Sequence, residues 1–311
     1  MPLAIRALGV TGILQLHAIL AIGPLARLDR RFLPLLFNRR HLGVSMFAVA
    51  LAHAVLATLF YHAGGVVNPI VSVLSGGPGR GGVPFEAFGA GALLILFLMA
   101  ATSHDFWLRN LGSRAWKALH MGVYAAYFLL VLHVGLGALQ SERAAVLPVL
   151  LGAGAGALTL LHVAAGRAER RVDQNVARPV TGDEPWVDAC GVEDIPEGRG
   201  RPCPVRHENG GVERVAVFKY HRDGTLVVSA TTNVCAHQGG PLGEGKVIDG
   251  CATCPWHGWQ YRPGDGCAPP PFTERIPTYR VRVVAGRVQI DPRRLAPGTP
   301  VEPAVAEGGR D

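Results

Sequence analysis

Residues 233–261, NVCAHQGGPLGEGKVIDGCATCPWHGWQY, hold Cys235 and His237 in a Cys-x-His step and Cys254 and His257 in a Cys-x-x-His step, with sixteen residues between the two. Thiolates and imidazoles are soft and borderline donors that suit zinc, copper or an iron–sulfur cluster. A structural zinc site of the Cys2His2 kind brings each donor type as its own pair, whereas each half here brings one of each. Mixed halves suit a two-iron, two-sulfide cluster in which one iron takes both thiolates and the other both imidazoles. The glycines between them let backbone N–H groups approach the cluster sulfides without an obstructing Cβ.

Around these four residues, Gly239-Gly240-Pro241-Leu242, Gly245 and Pro255-Trp256-His257-Gly258-Trp259 resemble the loops of Rieske ferredoxins and of the Rieske domains of ring-hydroxylating oxygenases. The opening Trp186-Val187-Asp188 and the closing Gly286-Arg287-Val288-Gln289-Ile290-Asp291-Pro292 resemble the ends of such domains. The resemblance implies a [2Fe–2S] cluster with Cys235 and Cys254 on the buried iron. It places His237 and His257 at the exposed edge toward a redox partner, and the run Pro269 to Pro271 against the cluster loops. Rieske proteins of quinol-oxidising respiratory complexes add a bridged Cys to each loop, and a Ser two residues after the last His. Here those positions are Gly240, Trp256 and Trp259. Fewer hydrogen bonds to sulfur imply a potential near the low end of the Rieske range, nearer about −150 mV than +300 mV.

The 311-residue chain is 49% hydrophobic and 17% charged, and its apolar runs all precede Arg167. That length suits two domains of roughly 150 residues each. The expected organisation is an all-α transmembrane bundle over residues 1–166, a linker over 167–184, an all-β Rieske domain over 185–295 and a polar tail over 296–311. Runs at about 7–27, 42–62, 86–104, 115–138 and 146–165 each suffice to cross ~30 Å of hydrocarbon at 1.5 Å per residue. The first reads as a spanning helix rather than a signal peptide: it is long, holds Gln15 and His17, lacks a small-x-small cleavage site and leads into arginines.

Loop charges orient the five helices. Arg27, Arg30, Arg31, Arg39 and Arg40 follow the first run, Arg109, Arg114 and Lys117 the third, and Arg167, Arg170 and Arg171 the fifth. The intervening loops hold Arg80 and Arg143. The positive-inside rule then puts the N-terminus outside and the Rieske domain in the cytoplasm, in a bacterial-type inner membrane. Topology thus accounts for the net charge of +7, and nucleic acid is not an expected partner. The glycine-rich residues 64–85 read as an outer connector.

Histidines inside a membrane are costly and mark function. His53 lies roughly 20 Å past Arg40 and His133 roughly 24 Å past Lys117, so on two outward-running helices they reach one level. Such a bis-imidazole pair suits a b-type haem. Arg39-Arg40-His41-Leu42-Gly43, His53, Trp116-Lys117-Ala118-Leu119-His120, Tyr124 and His133 resemble the ferric-reductase-like transmembrane family. That family includes NADPH oxidases, ferric reductases and the haem subunit of the periplasmic methionine sulfoxide reductase system. The resemblance implies haem ligation by His53 and His133 on the outward side, with His120 as the cytoplasmic-side ligand. The partner of His120, about 14 residues before His53, is Arg39, a loss similar to that in the last-named branch. Either His41 substitutes, or His120 binds something else, a quinone or a flavin. On a straight helix His120 and His133 would point apart, so the pair requires a local distortion or separate ligands. His17, His62 and His162 read as packed or hydrogen-bonded between helices, and His41 and His104 as interfacial.

In the soluble half, Val212 to Phe218, Thr225 to Ala230, Lys246 to Asp249, Tyr279 to Val284 and Arg287 to Ile290 read as strands, with Asp223-Gly224 a hairpin turn. Cys251 reads as a small buried residue. The sequence carries no Walker loop, dinucleotide fingerprint, serine triad or mononuclear iron site, which excludes a complete oxygenase. The expected function is single-electron transfer between the Rieske cluster and the haem, with a cytoplasmic donor or acceptor protein and with membrane lipid or a quinone as partners. The rivals are a membrane-anchored Rieske ferredoxin that feeds a separate oxygenase without haem, and a cluster-bearing sensor.

Overall fold

A computed structural model describes residues 1–75, 84–141, 145–183, 185–207 and 210–306. Arg80 and Arg143 lie outside the described residues. The chain divides into two units, Met1–Ala165 and Gly166–Asp311.

The first unit is helical: α1 (Pro2–Leu28), α2 (Leu35–Tyr61), α3 (Pro69–Ser75), α4 (Phe85–Ala101), α5 (Asp105–His120), α6 (Gly122–Leu136), α7 (Ala138–Ser141) and α8 (Val146–Gln174), whose last turns belong to the second unit. Four stretches are long and apolar enough to cross a membrane: Pro2–Leu28, Asn38–Tyr61, Ala115–Leu136 and Val146–Gln174. The remaining expected span, the third at about 86–104, is the shorter apolar helix Phe85–Ala101. Its 17 residues reach only about 25 Å at 1.5 Å each. The expected connector contains α3, and the expected fourth span is broken at Met121, between α5 and α6. Gly122 follows the break, and there α6 approaches α4 so closely that a Cβ would lie 3.2 Å from Ile95.

In hydrocarbon, small residues let helix backbones approach. α1 meets α2 at Gly9 and Gly12, and α4 meets α6 at Gly89 and Gly91. Leu16, Leu20, Met46, Ala92, Leu96 and Ala126 form the buried centre.

The second unit holds two antiparallel sheets. One orders β1 (Arg178–Pro179), β2 (Val187–Gly191), β11 (Arg287–Ile290) and β10 (Val281–Val284). The other orders β12 (Ala304–Val305), β5 (Thr225–Thr232), β4 (Val212–Arg222), β3 (Arg199–Arg206), β6 (Lys246–Ile248), β7 (Cys251–Thr253) and β8 (Gln260–Tyr261), with β9 (Thr278–Tyr279) also on β5. Asp223 and Gly224 both take positive φ, 51° and 77°, as the tight hairpin of β4 and β5 requires. β3 contains Pro202 and Pro204, which hide it from propensity. It tolerates them because β6 pairs with it only at Arg199, so the stretch from Pro202 on is a sheet edge.

β4 is the wall between two cores. Val215 and Val217 pack on Ile195, Val205, Val228 and Ile290, while Ala216, Phe218 and Tyr220 pack on Leu242, Tyr261, Ile276, Cys235 and Cys254. This is strand periodicity with both faces buried. Residues after Leu295, expected to form a polar tail, instead add β12 to the edge of β5 and bury Ala306. The alternation there is too short to read from sequence.

Candidate cluster and haem sites

Each cluster-loop cysteine opens a turn that closes in the same way. Cys235 N–H donates to Gly240 O at 2.9 Å and Gly239 N–H to Cys235 O at 2.8 Å; Cys254 N–H donates to Trp259 O at 2.8 Å and Gly258 N–H to Cys254 O at 3.0 Å. Gly239 and Gly258 take φ of 72° and 69°, a conformation glycine adopts without steric cost. The first loop is further tied by Asn233, whose Oδ1 accepts from Gly243 N–H at 2.6 Å.

Both thiols are buried, and the two imidazoles are half-buried. The thiols lie close enough to share a hydrogen bond. That bond holds Cys235 down, at about 7, and with burial pushes Cys254 up. The rings of His237 and His257 stand edge to face at 5.2 Å. A Cβ on Gly240 would sit 2.6 Å from Cys254 Sγ and 3.2 Å from the Trp256 ring. Beside this Trp256 the position admits only glycine. Among the described residues no three His, Cys, Asp or Glu side chains converge on one ion. Tetrahedral zinc needs four donors around one point, whereas a Rieske cluster needs two on each iron. The paired thiols and paired imidazoles fit the cluster.

Sequence reading missed the contacts that Tyr261 and Trp259 make. The Tyr261 hydroxyl accepts from Ala236 N–H at 3.1 Å and shares a hydrogen bond with Cys235 Sγ at 3.5 Å, which it donates when that sulfur is a thiolate. Burial and the adjacent Cys235 push its pKa up, so it stays a donor. Trp259, at the position of the quinol-oxidising branch's serine, lies flat on His237 with ring centroids 4.3 Å apart and planes 5° from parallel; Phe272, just past the prolyl run, packs on Trp259 at 4.3 Å with its ring tilted 53°. Cys251 is buried on β7.

In the bundle, the structure brings His53 and His133 together. Their ring centroids lie 6.4 Å apart and their planes cross at 82°. His53 Nδ1–H donates to Ile5 O at 2.8 Å and His133 Nδ1–H to Phe85 O at 2.9 Å. Because a carbonyl only accepts, each Nδ1 carries the proton and each Nε2 keeps its lone pair. A metal about 2 Å from each Nε2, with about 1 Å from nitrogen to ring centre, needs centroids about 6 Å apart. The 6.4 Å between the two ring centres matches that span.

The other histidines sort differently. His17 donates from Nδ1 to Ile13 O and accepts at Nε2 from the Tyr127 hydroxyl at 3.0 Å; His162 donates to Leu158 O and accepts from Tyr124, also at 3.0 Å. Each ring spends one nitrogen within its own helix and the other on a tyrosine of α6. His62 bonds Ser72, His104 caps α5, and His41 is exposed. His120 is not brought to the pair. It stacks on Trp116 at 3.8 Å, donates from Nδ1 to Trp116 O, and leaves Nε2 buried without a hydrogen-bond partner. Arg39 lies against α1, 3.6 Å from where a Cβ on Gly23 would stand.

Two family profiles match the chain: the Rieske [2Fe–2S] domain over residues 185–280 and the ferric reductase like transmembrane component over residues 8–131. The chain is 33% identical over 96 residues to cholesterol 7-desaturase of Xenopus laevis, covering 30% of this chain and 19% of that protein. It is 32% identical over 131 residues to the protein-methionine-sulfoxide reductase heme-binding subunit of Azospira oryzae, covering 41% of this chain and 52% of that one. It is 31% identical over 111 residues to the ferredoxin component of the naphthalene 1,2-dioxygenase system of Pseudomonas aeruginosa, covering 35% of this chain and 96% of that one. The chain thus spans about a fifth of the desaturase and about half of the heme-binding subunit. A Rieske cluster carries one electron at a time, so the C-terminal unit is an electron-transfer domain. The chain belongs to the Rieske [2Fe–2S] family through its second unit, and residues 8–131 of its first unit resemble the ferric reductase like transmembrane component.

Proposed function

We propose that this protein passes single electrons between a cytoplasmic [2Fe–2S] cluster, held by Cys235, His237, Cys254 and His257, and a b-type haem held in the outer half of the membrane by His53 and His133. Each group, when bound, takes up and releases one electron without bond making. The protein's own part is to fix the ligands, exclude water and set potentials. Tyr261 donates to a ligand sulfur and so favours the reduced cluster, whereas the carbonyls of Ile5 and Phe85 make the two imidazoles stronger donors and favour the oxidised haem.

The observation that carries this reading is the His53–His133 pair: two half-buried rings at one level, both with Nδ1 engaged and Nε2 left as a ligand. Positive charge after the first, third and fifth apolar runs supports a cytoplasmic cluster. His120, with its buried unpartnered Nε2, is assigned to a quinone or flavin. The partner at the His237–His257 edge is a one-electron redox protein.

The test is the optical and EPR spectrum of the detergent-purified protein, oxidised and reduced, with a pyridine haemochrome assay. A b-type haem beside a Rieske EPR signal is expected, with haem lost and cluster kept in His53→Ala and His133→Ala. A cluster without haem would overturn it. That result would leave the membrane-anchored ferredoxin feeding a separate oxygenase, a reading favoured by the likeness to a dioxygenase ferredoxin along nearly that protein's whole length.

A further inference from the structure

The two histidines are held by matching parts. His53 reaches the Ile5 carbonyl across 48 residues and His133 reaches the Phe85 carbonyl across 48 residues. One turn after each carbonyl stands a glycine whose missing Cβ the ring occupies. A Cβ on Gly9 would lie 3.1 Å from His53 Cε1, and one on Gly89 would lie 2.8 Å from His133 Nδ1. Ile5, Gly9 and His53 therefore correspond to Phe85, Gly89 and His133 at a constant offset of 80 residues. The same offset pairs buried Leu16 with Leu96 and buried Met46 with Ala126. It also pairs Arg40 with His120, so one copy has an arginine where the other keeps its second histidine.

We infer that the hairpins α1–α2 and α4–α6 are two copies of one ligand-holding unit, in which Gly9 and Gly89 are positioning residues for the axial imidazoles. The inference rests on the haem reading above. In each copy the carbonyl fixes the tautomer, and the glycine lets the ring lie against the neighbouring helix at the angle that carbonyl sets. Because each ring is pinned to a different helix, their planes are held crossed at 82°. A methyl on Gly89 would press on His133 Nδ1 itself at 2.8 Å and force the ring to shift, whereas one on Gly9, 3.1 Å from His53 Cε1, asks a smaller displacement.

Three readouts test this on the full-length protein: haem per chain, midpoint potential and the low-spin EPR signal, whose anisotropy grows as axial imidazole planes approach perpendicular. The variants are Gly89→Ala, Gly9→Ala and, as control, Gly43→Ala on α2, where a Cβ meets nothing within 4 Å. Gly89→Ala is expected to weaken haem retention about tenfold, the low end of the effect of losing an outer-shell contact. It should also reduce the EPR anisotropy. Gly9→Ala should do the same more weakly, and Gly43→Ala should match the parent protein. Gly89→Ala and Gly9→Ala that keep haem, potential and EPR shape like Gly43→Ala would overturn the inference. If the parent protein holds no haem, the proposed function fails, and nitrogen NMR of 15N-histidine-labelled protein still decides the inference. Both His53 and His133 as Nδ1–H tautomers support it, and an Nε2–H tautomer at either overturns it.

Discussion

The ligand loops of the Rieske unit and the histidine helices of the bundle both present donors in matched halves, but over different lengths of chain. In the loops, Cys235 and Cys254 open two turns with the same pair of backbone hydrogen bonds within one 29-residue stretch. In the bundle, His53 and His133 are joined only by helix packing. The outer contacts also differ in sign. Tyr261 donates a proton toward a ligand sulfur, which favours added negative charge. The Ile5 and Phe85 carbonyls accept from the His53 and His133 imidazoles, which in the proposed haem site would favour the more positive metal. Under the proposed function, a β-framed loop and a helix pair would thus push two one-electron sites in opposite directions with single hydrogen bonds.

The comparison breaks most sharply if the halves of the protein are not independent. Cys254→Ala is expected to abolish the Rieske EPR signal outright while leaving the helical CD and any haem spectrum unchanged; simultaneous loss of both would make the units one cooperative structure. Next in size is the frame behind the loops. Asp291 is buried, and although burial pushes its carboxyl up, Arg293 at 2.8 and 2.9 Å and Arg280 at 3.5 Å bring it below its ordinary value of 3.8. A depressed carboxylate stabilises the fold above its unfolded pKa, and this is lost as pH falls below about 3.8 toward the lower folded value. Asp291→Asn should cost about 1–3 kcal/mol near neutral pH and flatten the acid limb of a fluorescence-monitored unfolding curve. Unchanged acid sensitivity would remove Asp291 as its source.

Smaller effects sharpen the contrast in sign. Tyr261→Phe should lower the cluster potential by on the order of 60 mV, equivalent to about 1.4 kcal/mol for one electron. A potential that rises would mean the hydroxyl acts as an acceptor toward the cluster. Tyr127→Phe, which deletes the hydroxyl 3.0 Å from His17 Nε2, should destabilise the bundle by only about 0.6 kcal/mol, typical of hydrogen bonds inside membranes. A larger loss in a detergent-unfolding series would show that His17 is more than a packed residue.

What the sequence made legible follows the same divide. The cluster donors stand two and three residues apart in a stretch rich in glycine, so their types and spacing name the chemistry before any fold is known. His53 and His133 were reachable only through their depth beneath charged loop ends and through a family resemblance, and the carbonyls that orient them carry no side-chain signal at all. Tyr261 closes the quoted stretch but is separated from Cys235 by 26 residues, and only the packing of β8 beneath the first loop joins them. β3 escaped because its prolines imitate a turn, and the break at Met121 because a span interrupted by one residue keeps its hydropathy. Strands with uninterrupted alternation, β4 and β5 above all, were plain.

The short strand β12 has a consequence for handling the molecule. Ala304 and Val305 lie on Val228 and Val227 of β5, so the last described turns of the chain seal a border that would otherwise offer bare amide groups to any passing strand. Cutting the protein before residue 304 would leave the redox loops intact yet make the domain adhesive. An affinity handle therefore belongs beyond this strand and never in its place.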